Sequence, residues 1–430
     1  MIPQELQKLM NDNEWDASIS FIKKQSEPLT DELLESLAWC LSCAKKYEEA
    51  KKAYSELVIR KPTQAKYHSA MGYQFYATNE YKAALEHFER ALELHPTYFK
   101  TKYRAAYSFL QLAGEFMQFT KNEFWKAIKH FEDCHSIYGD YDEETAKRER
   151  STYAKVCFAH GKALIPSTRH IEKSISMLIK ATELKPDERD YKYNLAQAFF
   201  SKGSYKEALE LLNQMAIAGR PEYYEHELKA QILSTTNEFE KAIQVLLSLT
   251  KWRKKDYLFQ RLAENYLALG NLEKADEFAL QAINLGRVNY KNYFVRGKVL
   301  RAKKQYKTAI SLFEQAREKR QSKYKQDCPE AIREIDAIME ETNGIPNNLE
   351  NNYAVESQTD MVVDGNRGTI AKYNEGKGFG FIKVPSRERD LFFHVSQYEK
   401  GQVPQIGISV SFEIEITAKG ESAVRITIVQ

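Results

Sequence analysis

The sequence predicts an α-solenoid of helix-turn-helix repeats, followed by a small all-β barrel of five strands. Three observations carry this expectation. Small residues recur every 33 or 34 positions through most of residues 1–341, a stretch rich in Asn, Gly and Pro follows, and hydrophobicity in the remaining segment alternates with a period of two.

The repeat is clearest in KYHSAMGYQFYATNEYKAALEHFERALELHPTYF. Met71, Gly72, Phe75, Ala84, Phe88 and Ala91 are small or apolar, and Pro96 closes the unit. Gly72 and Ala84 stand where two antiparallel helices must approach closely, and Phe75 and Phe88 fill the gap between them. The small residue opening each second helix recurs at Ala17, Ala50, Ala84, Ala127, Ser174, Ala208, Ala242, Ala275 and Ala309. The intervals from Ala84 to Ala127 and from Ala127 to Ser174 are 9 and 13 residues longer than 34, which predicts extended helices or an inserted turn. A fixed period, with closing prolines at Pro62, Pro96 and Pro186, separates this pattern from a generic helical bundle. It resembles the tetratricopeptide repeat. That resemblance implies about eight full units plus an N-terminal half-repeat, stacked as a right-handed superhelix. Tyr324 to Glu341, amphipathic through Ala331, Ile335 and Ile338, is expected to be the capping helix.

In that family the first helix of each unit lines the concave wall. The resemblance therefore nominates Trp39, Tyr73, Tyr76, Tyr103, Tyr107, Tyr193 and Phe200, with Tyr257 and Phe294, as a groove for an extended peptide or a partner helix. For each ring the alternative is packing against the neighbouring repeat. Family members that clamp a C-terminal carboxylate use Lys and Asn four residues apart. Here those places hold Glu35 and Trp39, Ser69 and Tyr73, and Tyr193 and Gln197, so chaperone-tail binding is not expected.

Residues 342–366, TNGIPNNLENNYAVESQTDMVVDGN, have a linker composition and are expected to tether two domains flexibly. Beyond them GTIAKY, GFGFIKV, DLFFHV, SVSFEIEI and AVRITIV are five strand candidates. Residues 367–430 resemble the cold-shock domain, an oligonucleotide-binding barrel, through Gly368, Tyr373-Asn374, Lys377-Gly-Phe-Gly-Phe-Ile382 and Asp390-Leu-Phe-Phe-His-Val-Ser396. Alternation puts Phe379 and Phe381 on one face, and Phe392 and His394 on the same face of the next strand. Gly378 and Gly380 are expected to keep the surface low between the rings, on which unpaired bases could stack. Ile370, Ile382, Leu391, Val410, Ile414 and Val424 are expected to fill the interior; the alternative is that the rings themselves do so. Lys372, Tyr373, Lys377, Phe379, Phe381, Phe392 and His394 form the candidate nucleic-acid site, with Lys383 and Arg387 at its rim. Two positions depart from the family: Lys372 replaces a usual Trp and Val395 a usual Phe. A lysine there can meet a phosphate, making the site weaker per base and more salt-sensitive. A preference for RNA over DNA is implied by the family alone.

Composition limits the remaining possibilities. With 43% hydrophobic and 29% charged residues the chain is globular, and no run approaches the roughly 20 apolar residues a bilayer requires. Met1 to Glu5 opens without a basic, apolar leader, so a cytoplasmic location without membrane partners is expected. Five scattered cysteines predict reduced thiols. The net charge of +3 hides a gradient: residues 1–60 hold 8 Lys/Arg against 11 Asp/Glu, whereas 287–325 hold 13 against 2. That basic segment is either a solvated face or a second polyanion contact.

Cys40 and Cys43 lack a second pair at zinc spacing, and His68, His87, His130, His135 and His160 follow no ligand motif. No phosphate loop or nucleophile motif is present, so no metal, cofactor or enzymatic activity is expected. The sequence thus predicts an adaptor that binds single-stranded RNA, or DNA, through the barrel and a protein or peptide through the repeats. The alternatives are an assembly scaffold with a protein-binding barrel, and an accessory subunit that presents nucleic acid to a nuclease or helicase.

Overall fold

A computed structural model describes residues 2–25, 28–114, 122–342, 367–374, 378–384, 390–398, 404–417 and 420–429. The chain divides into two compact units, Met1–Gly344 and Ile345–Gln430. The linker expected at 342–366 lies outside the described residues except for Thr342.

Among the described residues the first unit contains nineteen α-helices. Eighteen form antiparallel pairs: α1 (Gln4–Asn11) with α2 (Trp15–Lys23), α3 (Asp31–Cys43) with α4 (Tyr47–Arg60), and α5 (Ala65–Ala77) with α6 (Tyr81–Leu94). Next come α7 (Phe99–Ala113) with α8 (Asn122–Gly139), α9 (Glu143–Leu164) with α10 (Ile171–Leu184), and α11 (Arg189–Lys202) with α12 (Tyr205–Ala218). The last pairs are α13 (Tyr223–Thr235) with α14 (Phe239–Trp252), α15 (Asp256–Ala268) with α16 (Leu272–Leu285), and α17 (Tyr290–Ala302) with α18 (Tyr306–Tyr324). α19 (Pro329–Glu341) is unpaired. The expected N-terminal half-repeat is a whole but short pair.

The period has two local causes. First, seven pairs turn through a residue with positive φ two positions before the second helix: Asn13, Lys45, Asn79, Gly203, Asn237, Gly270 and Lys304. Five of the seven are Asn or Gly, the residues that enter this region at least cost. Second, small residues line both sides of each helix crossing. Ala38, Ala106, Ala196, Ala230 and Ala263 are buried on first helices, and Ala50, Ala84, Ala127, Ser174, Ala208, Ala242, Ala275 and Ala309 are buried on second helices. At Gly72 an added Cβ would lie 2.6 Å from the Phe88 ring and 3.0 Å from the Ala84 carbonyl. Ala17 breaks the series, because it is exposed and the neighbouring Ser18 takes the crossing position. The interval from Ala127 to Ser174 is absorbed mainly by α9, of 22 residues; the interval from Ala84 to Ala127 holds α7, of 15 residues, and residues 115–121, which lie outside the described residues.

α18 runs to Tyr324 and stops where Lys325 turns left-handed at φ 56°. The capping helix therefore begins at Pro329, in the first-turn position proline favours, rather than at Tyr324. Ala331 and Ile338 bury against α17 and α18, with Ile335 packed beside them.

The second unit is a closed barrel of β1 (Arg367–Asn374), β2 (Phe379–Lys383), β3 (Leu391–His394), β4 (Ser409–Thr417) and β5 (Gly420–Ile428) in the order β1-β2-β3-β5-β4. β3 and β5 are parallel, and the other pairs are antiparallel. Ile370, Ile382, Leu391 and Val410 fill the interior as the sequence predicts, joined by Phe393, Phe412, Ala423 and Ile426. Ile414 is only partly buried at the margin. Val424 does not belong to the interior. β5 carries one extra residue against β4, with Arg425 at φ 50°, so Ala423 and Ile426 point inward and the expected alternation fails.

Gly380 also differs from expectation. Its missing side chain faces the interior: an added Cβ would lie 2.4 Å from the Lys372 carbonyl and 2.5 Å from the Phe393 ring. Gly380→Ala should destabilise the barrel by about 2 kcal/mol or more. Denaturant unfolding of the full chain, followed by barrel signals, should show the loss while the helical transition stays in place.

Candidate nucleic-acid interface

β2 and β3 run antiparallel with Phe379 opposite His394 and Phe381 opposite Phe392. Both pairs point away from the buried Gly380, Ile382, Leu391 and Phe393. Three rings consequently form a triangle on the outer face. The Phe379–Phe381, Phe379–Phe392 and Phe381–Phe392 centroids are 6.2, 5.8 and 5.9 Å apart. Phe392 is 40% exposed, Phe379 and Phe381 are half-buried against one another, and His394 is exposed. An apolar cluster with ring faces and edges open to solvent suits planar ligands.

β1 edges this face. A bulge at Ala371 puts Lys372 opposite Phe381 and Asn374 opposite Phe379. Lys372 is exposed, as is Lys383, which lies on the Phe379–Phe381 face of β2. The same bulge takes Tyr373 out of the expected site. Tyr373 sits opposite Gly380 and its ring stacks on the core residue Phe393 at 6.1 Å and 12°, so it belongs to the inner side. Val395 is half-buried in a short 3₁₀ turn, its amide donating to the Gly378 carbonyl at 2.7 Å. Lys377 and Arg387 lie outside the described residues.

In the first unit the groove candidates lie at five places. Tyr73, Tyr76, Tyr103 and Tyr107 come together on α5 and α7. Tyr76 stacks on Tyr73 at 6.3 Å and meets the edge of Tyr107 at 5.7 Å, and burial pushes its hydroxyl up to about 12. Tyr103 is half-buried against the core, and burial raises its pKa also. Trp39 is 43% exposed and meets Trp15 edge-on at 5.0 Å. On α11, Tyr193 packs edge-on to Tyr224 at 4.5 Å and Phe200 lies 5.8 Å from Tyr205. Phe294 packs on Phe313 in the core of the last pair, and the Tyr257 hydroxyl bonds that of Tyr223 at 2.9 Å. The carboxylate-clamp places are internally engaged: Glu35 accepts from Lys66 and Tyr67, and Ser69 bonds Thr101 at 2.6 Å.

The basic segment is partly neutralised. Arg296 pairs with Asp276, Arg301 with Glu334 and Glu341, and Lys303 with Glu273 and Asp276. Arg317 pairs with Asp327 and Arg320 with Glu330.

Sequence reasoning missed three features. Arg104 lies 4.3 Å from the Tyr73 ring, with burial lowering its pKa. His135 and His160, 25 positions apart, meet at 2.9 Å between α8 and α9; His135 also bonds the Tyr153 hydroxyl at 3.1 Å, and among the described residues the buried Nε2 of His160 has no partner. The third is an exposed tryptophan within a basic run at the end of α14, which the pattern Lys-Trp-Arg-Lys-Lys should have marked. All five cysteines are unpaired thiols, and burial pushes Cys40 and Cys157 up to about 11 and Cys134 up to about 12. Among the described residues no three His, Cys, Asp or Glu side chains are grouped to hold a metal, and no helix is long and apolar enough to cross a membrane.

Residues 366–429 match the family model of the 'Cold-shock' DNA-binding domain, and residues 65–98, 167–223 and 257–286 match models of the tetratricopeptide repeat. Cold shock-like protein CspE of Buchnera aphidicola subsp. Acyrthosiphon pisum is 39% identical over 62 residues, covering 14% of this chain and 90% of that protein. Cold shock-like protein CspC of Escherichia coli is 36% identical over 63 residues, covering 14% and 91%. Among solved structures, yeast Tom70 aligns with a TM-score of 0.38 at 13% identity over 79% of this chain and 95% of that chain. Pseudomonas aeruginosa PilF aligns with a TM-score of 0.40 at 15% identity over 52% and 91%.

Proposed function

From the premise that this chain belongs to the cold-shock family through residues 366–429 and carries tetratricopeptide repeats ahead of them, we propose that it is a non-catalytic adaptor for single-stranded nucleic acid. In this reading the barrel holds unpaired bases, with RNA as the intended ligand, and the repeats recruit a protein partner. The cytoplasm, where its five thiols would stay reduced, is the proposed location. The observation that carries the reading is the triangle of Phe379, Phe381 and Phe392 on the outer face, while Phe393 and Phe412 fill the interior. Rings placed for packing would have the opposite arrangement. Stacking tolerates any base, so the platform supports binding with little sequence demand. Tyr73, Tyr76, Tyr103 and Tyr107, the largest ring group on the first helices, are the proposed partner contact.

The test is a fluorescence-anisotropy titration of oligo-U and oligo-dT on the full chain at two salt concentrations, with Phe379→Ala/Phe392→Ala alongside. Equal binding by the variant and the wild type would remove the stacking site and favour a protein-binding barrel. Lys372 makes a separate prediction, because it lies beside Phe381 with its side chain exposed. Lys372→Ala should lower the slope of log affinity against log salt by about 0.7, the value for one phosphate contact on a single strand. An unchanged slope would remove Lys372 from the backbone contact.

A further inference from the structure

The corner between α14 and α15 reads Lys251-Trp252-Arg253-Lys254-Lys255, and every residue of it is exposed. Trp252, the last residue of α14, is 46% exposed although it is the largest side chain nearby. Three side chains meet its ring. Tyr223 lies 6.4 Å away and His226 meets it edge-on at 5.5 Å, both from α13, and the Arg220 guanidinium is 5.7 Å from the ring. Arg253 sits 5.1 Å from the Tyr223 ring, and Tyr223 is fixed by its hydroxyl bond to Tyr257. The result is an aromatic cluster whose indole remains nearly half exposed.

The charge around this cluster is unbalanced. Among the described residues Arg220, Lys251, Arg253, Lys254 and Lys255 form no ion pair, and the carboxylates on adjoining segments are fewer. Glu225 is neutralised by Arg189 at 2.5 and 2.6 Å, which leaves Glu222 and Asp256, the latter accepting from the neutral amides of Asn289 and Asn292 at 2.8 and 3.0 Å, against five cations. Helix electrostatics explain Lys251 and Arg253 at the C-terminal end of α14, where positive charge is favoured. They do not explain Lys254 and Lys255. These two precede the first turn of α15, where the helix dipole opposes a cation, and their exposure leaves no packing to offset it.

An exposed indole flanked by uncompensated lysines supplies what an unpaired nucleotide needs, a π-face for the base and ammonium groups for the adjacent phosphates. We infer that this corner is a second single-stranded nucleic-acid contact, with one base on Trp252 and neighbouring phosphates on Lys251, Lys254 and Lys255. The inference rests on the nucleic-acid reading of the barrel for its role in this chain, and it adds a site on the other unit. An anionic lipid surface could also attract tryptophan and lysine, but it calls for an amphipathic helix lying in the interface, and this corner is a turn.

The experiment uses the full chain with Phe379→Ala/Phe392→Ala in place, so that the barrel platform has lost two of its three rings. Anisotropy is read with labelled oligo-U of about fifteen nucleotides, near the upper limit for one such barrel. This background should retain weak, salt-sensitive binding. Adding Trp252→Ala should weaken it about tenfold, in line with the loss of one stacked base. Adding Lys254→Gln/Lys255→Gln instead should lower the salt slope by about 1.4, for two phosphates. The glutamine pair guards against a local packing effect of the tryptophan change, and a matching thermal melt checks both. No residual binding in the background, or residual binding indifferent to both changes, overturns the inference. It is likewise overturned if phosphatidylserine vesicles lose binding with these substitutions while oligo-U does not. Failure of the barrel reading is distinct, since it appears as equal binding by the wild type and the Phe379→Ala/Phe392→Ala background.

Discussion

Replacing Phe379 and Phe392 together with alanine should weaken oligo-U binding by at least about thirtyfold and leave the barrel folded. Each stacked base is worth about 1–3 kcal/mol, so losing two contacts removes at least about 2 kcal/mol of binding. The interior packing is untouched. Both rings lie on the outer face and touch mainly Phe381 and each other, so the stability cost is that of three ring contacts, about 0.5–1.5 kcal/mol each. Phe393→Ala is the control, one position away on the opposite face. Phe393 is fully buried, packs on Tyr373 and Tyr398, and occupies the space that Gly380 leaves open. Its truncation should cost about 3–5 kcal/mol and unfold the barrel unit. If the outer pair melts the barrel while Phe393→Ala does not, the two faces have been assigned the wrong way round.

The faces of Phe379, Phe381, Phe392 and His394 were legible because strand alternation holds through β2 and β3. It fails at two bulges, and there sequence reasoning erred. The additional residue at Ala371 exchanges the faces of Lys372 and Tyr373, and the one at Arg425 removes Val424 from the interior. A bulge is a backbone event: neither Ala371 nor Arg425 is a glycine or proline, so neither position announces it. The repeat series was legible for a similar reason and failed in a similar way. Small residues at helix crossings are a packing requirement that composition displays, whereas the short α2 shifts by one residue and puts Ser18 where Ala17 was expected. The roles of the glycines needed coordinates. Gly380 has the same residue type whether it lowers the outer surface or makes room for Phe393, and only the position of that ring decides.

Contacts between distant positions on facing helices leave no periodic trace, and the histidines of α8 and α9 have a consequence for stability. His160 is fully buried, its ring stacked on Phe131, and its pKa is pushed down to about 3 chiefly by burial, with His135 and Lys173 adding to the effect. His135 is lowered to about 4 by burial and by Lys180 and Lys173, against a small opposing pull from Glu132. His130 is also lowered to about 4, by burial first and then by Lys102, with Asp133 opposing. In the unfolded chain each would titrate near 6.5. Protons therefore bind the unfolded state first. The stability these groups contribute is intact above pH ~6.5 and is lost as pH falls from there towards their folded values. By pH ~5 His160 alone should account for about 2 kcal/mol, with smaller shares from the two partly exposed rings. Most carboxylates titrate below that window, and Glu264, raised by burial, acts in the opposite direction, so a loss between pH ~6.5 and ~5 belongs to the histidines. Denaturant unfolding followed by helical circular dichroism should show it, and His160→Leu should flatten the pH dependence. A stability that stays level across this window, or a slope that His160→Leu leaves unchanged, would mean that the buried ring does not control the acid response of these repeats.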